Sequence, residues 1–245
     1  MILTVQLLSA APASARIVNT LRGFDDKERG WSGAVEGAVS SGMGNSEYLQ
    51  IEIAAAMQYQ NESHRWRLLG RNMRLTTSGK EQAENRMAHL RHNYRILPWL
   101  ASVAFVQGQY SPFQRIETRV LIGAGGRFDV VREEKWSVAF GATCMREDEE
   151  LTGGNDRFTT DYRFSFFTSV FRDVSKGVDI DVTGFYQPLP GDFSDARALA
   201  AVNLRSEITE TLYLLFNYGL EYDSRPAAGV EESDQTLRSG FGYSF

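Results

Sequence analysis

The chain has 245 residues with 31 acidic and 26 basic side chains, a formal net charge of −5 that excludes a nucleic-acid binder held by general phosphate attraction. Its mean hydropathy is −0.31, and no apolar run approaches the roughly 18 residues of a membrane helix; the nearest, Ile96 to Val106, is broken by Pro98 and Ser102. Neither fact excludes a membrane β-barrel, whose strands are apolar on one face only.

Met1 to Ala15 reads as an export signal, an apolar stretch followed by Ala13-Ser14-Ala15 in the small-x-small cleavage pattern, though without a basic n-region. An ordinary first strand is the alternative. Removal leaves Arg16 to Phe245, of which Arg16 to Arg29 is a polar periplasmic leader and residues 30–245 are the barrel.

Twelve alternating segments follow. The first, Gly30 to Ser40, carries Trp31, Val35 and Val39 on one parity. The second, Tyr48 to Tyr59, sets Leu49, Ile51, Ile53 and Met57 outward against Gln50, Glu52 and Gln58 inward. The third, His64 to Thr77, and fourth, Ala83 to Tyr94, are rich in arginine, and the fifth, Trp99 to Tyr110, is apolar on both parities at first. The sixth, Ile116 to Phe128, places Glu117, Arg119, Gly123, Gly125 and Arg127 inward. The seventh, Trp136 to Arg146, and eighth, Phe158 to Phe171, present Phe140, Cys144, Tyr162 and Phe166 outward, with Asp161 and Arg163 inward. The ninth, Val178 to Gln187, alternates Val178, Ile180 and Val182 with Asp179, Asp181 and Thr183. The tenth, Ala196 to Arg205, is alanine-rich, and the eleventh, Thr211 to Ser224, sets Leu212, Leu214, Phe216, Tyr218, Leu220 and Tyr222 outward. In the twelfth, Leu237, Phe241, Tyr243 and Phe245 oppose Thr236, Arg238, Gly240 and Gly242. Such period-2 strands, greasy on one face and polar or small on the other, fit a wall between lipid and water, and the closing aromatic strand ending on Phe fits an outer-membrane barrel.

The connectors alternate as well. Asn61–Ser63, Arg95–Pro98, Asp129–Lys135, Arg172–Gly177 and Ser206–Glu210 are mostly short, whereas Ser41–Glu47, Glu147–Arg157, Pro188–Asp195 and Arg225–Ser233 are longer, the pattern of periplasmic turns and external loops. The expectation is an all-β transmembrane antiparallel barrel of about twelve strands, closed because an open edge in hydrocarbon leaves backbone groups unpaired. Aromatics at strand ends (Trp31, Tyr48, Tyr59, Trp66, Trp99, Tyr110, Phe128, Trp136, Tyr186, Tyr222 and Phe245) are the expected interfacial girdles. A soluble β-barrel carrier is the competing architecture.

Taken in order, several short stretches match one family. They are Gly30-Trp31-Ser32-Gly33, Ser40-Ser41-Gly42-Met43-Gly44-Asn45, Glu84-Asn85-Arg86, Leu121-Ile122-Gly123-Ala124-Gly125-Gly126, Gly191-Asp192-Phe193-Ser194-Asp195, Glu221-Tyr222-Asp223-Ser224-Arg225-Pro226 and Gly240-Phe241-Gly242-Tyr243-Ser244-Phe245. Through them the chain resembles the salt-induced outer membrane protein family (YdiY-like), a domain of unknown function, over nearly all of the mature chain. The first hairpin departs from the usual Ser-Gly-Asn-Thr form. The resemblance implies an outer-membrane barrel associated with salt stress and supplies no catalytic residues.

The inward face is expected to carry both signs of charge: Glu52, Arg91, Glu117, Arg119, Arg127, Asp161, Arg163, Asp179, Asp181 and Arg238. Such groups line a water channel or pair across it as a plug, and pairing is the cheaper arrangement for charge near protein walls. An enzyme needs a nucleophile, a base and an orienting acid on one face. The histidines do not provide it, since His64 lies in a turn, His92 near the periplasmic strand end and His89 inward amid arginines. No catalytic residue, cofactor or metal is therefore expected. The Glu147-Asp148-Glu149-Glu150 run is read as a solvated external loop, with calcium binding by its carboxylates as the alternative. The lone cysteine, Cys144, permits no intrachain disulfide and is read as inert packing on an outward row.

Small or polar residues on outward faces (Gly33, Gly37, Arg71, Ala198 and Ala200) are expected to form a contact with another subunit, giving a dimer or higher homo-oligomer. The other expected partners are outer-membrane lipid and, through the closing strand, the barrel-assembly machinery. The expected role is non-enzymatic, a small-solute channel or membrane-organising protein in the outer membrane of a Gram-negative bacterium. A lipid-binding or lipid-modifying barrel is the alternative.

Overall fold

A computed structural model describes residues 2–3, 29–42, 48–112, 115–133, 135–152, 158–209, 212–226 and 230–244. The strands are β1 (Ile2–Leu3), β2 (Gly30–Gly42), β3 (Tyr48–Gln60), β4 (His64–Thr77), β5 (Lys80–Leu97), β6 (Leu100–Ser111) and β7 (Ile116–Arg132). They continue as β8 (Trp136–Leu151), β9 (Phe158–Ser175), β10 (Val178–Leu189), β11 (Asp192–Glu207), β12 (Leu212–Asp223) and β13 (Ser233–Ser244). From β2 to β13 each strand pairs with the next in one sheet, and the two residues of β1 lie on the free edge of β13, Ile2 against Ser244 and Leu3 against Tyr243. β1 falls within the stretch read as an export signal. Among the described residues no pairing joins β2 back to β13.

The sheet is nevertheless curled. The guanidinium of Arg91 on β5 lies 4.8 Å from the ring centre of Phe167 on β9, and Arg197 on β11 pairs with Glu147 on β8. Strands four apart in a flat sheet, as β5 and β9 are, are separated by about 19 Å, and strands three apart, as β8 and β11 are, by about 14 Å, so these contacts require a wall that bends round an interior.

The two faces invert the pattern of a soluble protein. Gln50, Gln58, Gln60, Arg65, Arg67, Arg91, Asn93 and Arg119 are buried, while Ile51, Ile53, Leu68, Leu90, Ile122 and Phe140 are exposed. Burial of long polar side chains with exposure of branched aliphatics fits a lipid-facing outer wall and a polar interior. Cys144 lies on the exposed outer face. The apolar cluster on the inner side is small, with Phe167, Phe185 and Leu199 on adjacent strands.

The strands run for 12 to 18 residues between β2 and β13, beyond the roughly 9–11 needed to cross a bilayer. The extra length comes from segments read as loops. Pro188 and Leu189 end β10 and Asp192 to Asp195 begin β11, leaving a turn at Pro190-Gly191. Gly191 has φ +90°, the conformation required after proline in a type II turn. Ser78 and Gly79, at φ 50° and 73°, similarly close β4 onto β5 with the double left-handed geometry of a tight hairpin. The acidic run Glu147 to Glu150 is no loop; β8 carries it through to Leu151. The strand ends at Gln60/His64, Leu97/Leu100, Arg132/Trp136, Ser175/Val178 and Glu207/Leu212 form one rim, called here the near rim, and the opposite strand ends form the far rim.

Candidate functional site

Inward side chains build three levels inside the curl. The level towards the far rim is ionic. Arg119 reaches Glu149 at 2.7 Å and Glu147 at 3.4 Å. Arg163 meets Asp195 at 2.8 Å and Glu147 at 3.7 Å. Arg197 pairs with Glu147 and with Asp223 at 3.1 Å. Arg225, in the connector after β12, adds a contact to Asp195 at 3.3 Å. Four arginines thus face four carboxylates, and Glu147 sits among three of the cations with its side chain 3 % exposed. At the outermost edge Asp192 accepts from Ser194 and pairs with Arg225 at 2.6 Å, and these two hold its carboxyl below the usual carboxylate range.

At the middle level, side chains of distant strands meet. Arg91 lies over Phe167, and His89, 3 % exposed, is hydrogen-bonded to Gln107 at 2.8 Å beside Phe105. Glycines make room for these rings. A Cβ on Gly123 would overlap Phe105, and one on Gly141 would overlap Phe167.

The level at the near rim carries arginines on β4 and β5 and a mixed group on β9 to β11, where Asp179 stands directly opposite Arg205. On β4 and β5, Arg65 donates to Gln60 at 2.6 Å, Arg67 to Gln58 at 2.8 Å and Arg91 to Asn93 at 3.3 Å. Asp173, Asp179 and Asp181 stand on β9 and β10, half-buried, with Asn203 donating to Asp181 at 2.9 Å.

The residues read from sequence as lumen-lining fall as follows. Glu52 pairs with Arg71 at 2.6 Å. Arg91, Arg119 and Arg163 are buried in the contacts above, and Arg127, also buried, holds Asp129 at 2.7 Å. Glu117 and Asp161 are half-buried, Asp161 lying 3.8 Å from Arg163. Arg238 is paired through its backbone with Asn217, and its side chain lies outside the described ones. Arg71 corrects the expected outward wall. It shares the parity of buried Arg67 and Met73, and its ion pair with Glu52 holds it inward. Ala198 and Ala200 do lie on the face opposite buried Arg197 and Leu199, while the exposure of Gly33 and Gly37 lies outside what is described.

Sequence reading missed Glu147, Glu149, Asp195, Arg197 and Asp223. The available signal was the unbroken alternation Met145, Glu147, Glu149 after the glycine and threonine of the same parity.

Of the girdle aromatics, the near rim holds Trp31 beside Tyr59 (5.0 Å between ring centres), Trp66 stacked on His92 (4.0 Å), Trp99 beside Phe128 (6.3 Å), and Trp136 donating to Glu133 at 2.7 Å. His64 Nδ1 and His92 Nε2 lie 3.0 Å apart in the same belt. Towards the far rim Tyr110 lies under Arg86, and Tyr222 is exposed. Phe245 lies outside the described residues.

A family model, DUF481, a protein of unknown function, matches residues 35–245. No curated protein matches the chain. Among solved structures the NanC porin aligns at a TM-score of 0.52 and 11 % identity over 87 % of this chain and 99 % of its own. The translocator domain of the autotransporter NalP from Neisseria meningitidis aligns at 0.42 and 12 % identity over 90 % of each chain. The CymD monoaromatic hydrocarbon channel aligns at 0.37 and 8 % identity over 88 % of this chain and 78 % of its own. The fold is an antiparallel transmembrane β-barrel of outer-membrane type.

Proposed function

This chain belongs to the DUF481 family, which includes the YdiY-like salt-induced outer membrane proteins, and we propose that it is a narrow, non-enzymatic small-solute channel of the bacterial outer membrane. The observation that carries this reading is the polar interior. A barrel serving only to organise lipid gains by filling its inside with apolar side chains, because buried charge is costly to keep. Here arginines, glutamines and carboxylates occupy inward positions from one rim to the other. The Arg91–Phe167 contact is the constriction that keeps the passage small.

The test is single-channel current across a planar bilayer with refolded protein, correct folding being shown by heat-shifted gel mobility. Discrete steps that widen when Phe167 is shortened in Phe167→Ala support the channel. A silent bilayer for both well-folded proteins overturns it in favour of a plugged, membrane-organising barrel. Salt-dependent expression and a dimeric or higher homo-oligomer belong to the same proposal, checked by transcript level across osmolarity and by mass in mild detergent.

A further inference from the structure

At the near rim, the start of β8 and the end of β9 bring three cations round one open hollow. Lys135 precedes β8, Trp136 begins it, Arg172 lies near the end of β9 and Lys176 is in the turn to β10. Backbone bonds fix these segments side by side, Glu133 N donating to Trp136 O at 2.9 Å and Asp173 N to Lys135 O at 2.7 Å. Trp136 stands directly opposite Arg172. Both are exposed and share the outward parity of Phe140 and Phe166. The hollow has a volume of about 680 Å³, and Glu133, Lys135, Trp136, Arg172, Val174 and Lys176 are among the residues that line it.

The cations of this hollow differ from those of the interior. Inside, Arg119, Arg127, Arg163 and Arg197 each hold a carboxylate. Among the described residues, Lys135, Arg172 and Lys176 enter no ion pair. With Arg132 at the end of β7, the stretch carries four cations against Glu133, Glu134 and Asp173. Glu133 accepts the indole N–H of Trp136 at 2.7 Å, and Asp173 stands opposite Asp179 on the inward parity. Trp136 differs from its neighbours too. Trp31, Trp66 and Trp99 each lie against another ring, whereas Trp136, 36 % exposed, has no ring contact among the described residues.

We propose that this hollow is a binding site for an anionic phospholipid, its phosphate held by Lys135, Arg172 and Lys176 beside the Trp136 ring, and its acyl chains lying along the outward row of Val138, Phe140, Phe166 and Val170. A tryptophan belongs at headgroup depth, and basic side chains beside a membrane surface attract anionic headgroups. Arg172 offers a phosphate two parallel N–H donors. The row leads away from the headgroup position in register, Val138 opposite Val170 and Ala142 opposite Phe166. From Arg172 to Phe166 the strand runs about 20 Å, enough to cross the roughly 15 Å of hydrocarbon in one leaflet. The inference rests on the membrane-barrel fold and not on the channel reading, so a barrel that conducts nothing leaves it standing.

The experiment compares wild type, Arg172→Gln/Lys176→Gln and the control Lys80→Gln/Arg115→Gln, which removes the same charge at the far rim. Each is first shown to be folded by heat-shifted mobility. The proteins are placed in phosphatidylcholine vesicles containing a trace of spin-labelled phosphatidylglycerol or spin-labelled phosphatidylcholine, and the motionally restricted fraction of each label is read by electron paramagnetic resonance. Wild type and control should hold phosphatidylglycerol about fivefold more strongly than phosphatidylcholine, the scale of one to two basic contacts at a membrane surface. The Arg172/Lys176 variant should bring that preference to parity. Equal retention of the two labels by wild type overturns the site. So does a preference that survives in the Arg172/Lys176 variant, or one that falls equally in the control.

Discussion

Replacing Glu147 with glutamine isolates what the far-rim ionic level contributes. The carboxylate is 3 % exposed and has Arg119 at 3.4 Å, Arg163 at 3.7 Å and Arg197 in direct contact. Glutamine keeps the shape and removes the charge, leaving three guanidiniums around a neutral amide. Removing one partner from a buried ion pair costs about 3–5 kcal/mol, because the remaining charge is left uncompensated. Glu149, Asp195 and Asp223 still serve the three arginines, so the lower end, about 3 kcal/mol, is expected. Urea unfolding in lipid vesicles reads this as a midpoint lowered by about 1.5 M if the slope is about 2 kcal/mol/M. Glu62→Gln is the control. It breaks the Arg29–Glu62 pair, whose side chains are 69 % and 79 % exposed, and exposed pairs contribute about 0–1 kcal/mol. The double variant Glu147→Gln/Arg197→Gln should recover part of the loss, since it removes a cation along with its anion. A Glu147→Gln midpoint equal to that of Glu62→Gln would refute the claim that this level is a desolvated network.

Two further outcomes follow from the wall itself. Gly125→Ala places a Cβ on the Ala142 carbonyl oxygen and close to the Thr143 backbone, atoms that cannot swing aside, so it should cost about 1–3 kcal/mol, read by the same urea titration. Ile122→Arg on the lipid-facing row, where Ile122 is 56 % exposed, should cost about 2–4 kcal/mol in a bilayer and much less in a detergent that lets the guanidinium reach water; equal losses in both would argue against lipid contact there.

The alternation of Leu49, Ile51 and Ile53 against Gln50 and Glu52 made the wall legible from sequence, because a strand residue has only two directions to point and lipid accepts only one kind. Strand ends were less legible. Glu147 to Glu150 has the composition of a solvated loop, and the arginines that make a strand of it lie on β7, β9 and β11, 16 to 50 residues from Glu147. Arg71 was misplaced for a related reason. Its parity follows from Arg65 and Arg67, but Gly70 interrupts the apolar row opposite, and only pairing with Glu52 on the neighbouring strand settles the direction. That Arg67 on β4 stands directly opposite Arg91 on β5 was invisible in principle, since register between strands is a property of the sheet and not of either segment alone.

The chain has four tryptophans, and Trp31, Trp66, Trp99 and Trp136 all stand at the near rim, each substantially exposed on the outer wall. The intrinsic fluorescence of the protein is therefore a report from one leaflet. In a bilayer asymmetrically loaded with brominated lipid, quenching would depend on which monolayer carries the bromine, so emission alone fixes which way round the barrel sits without any label being added.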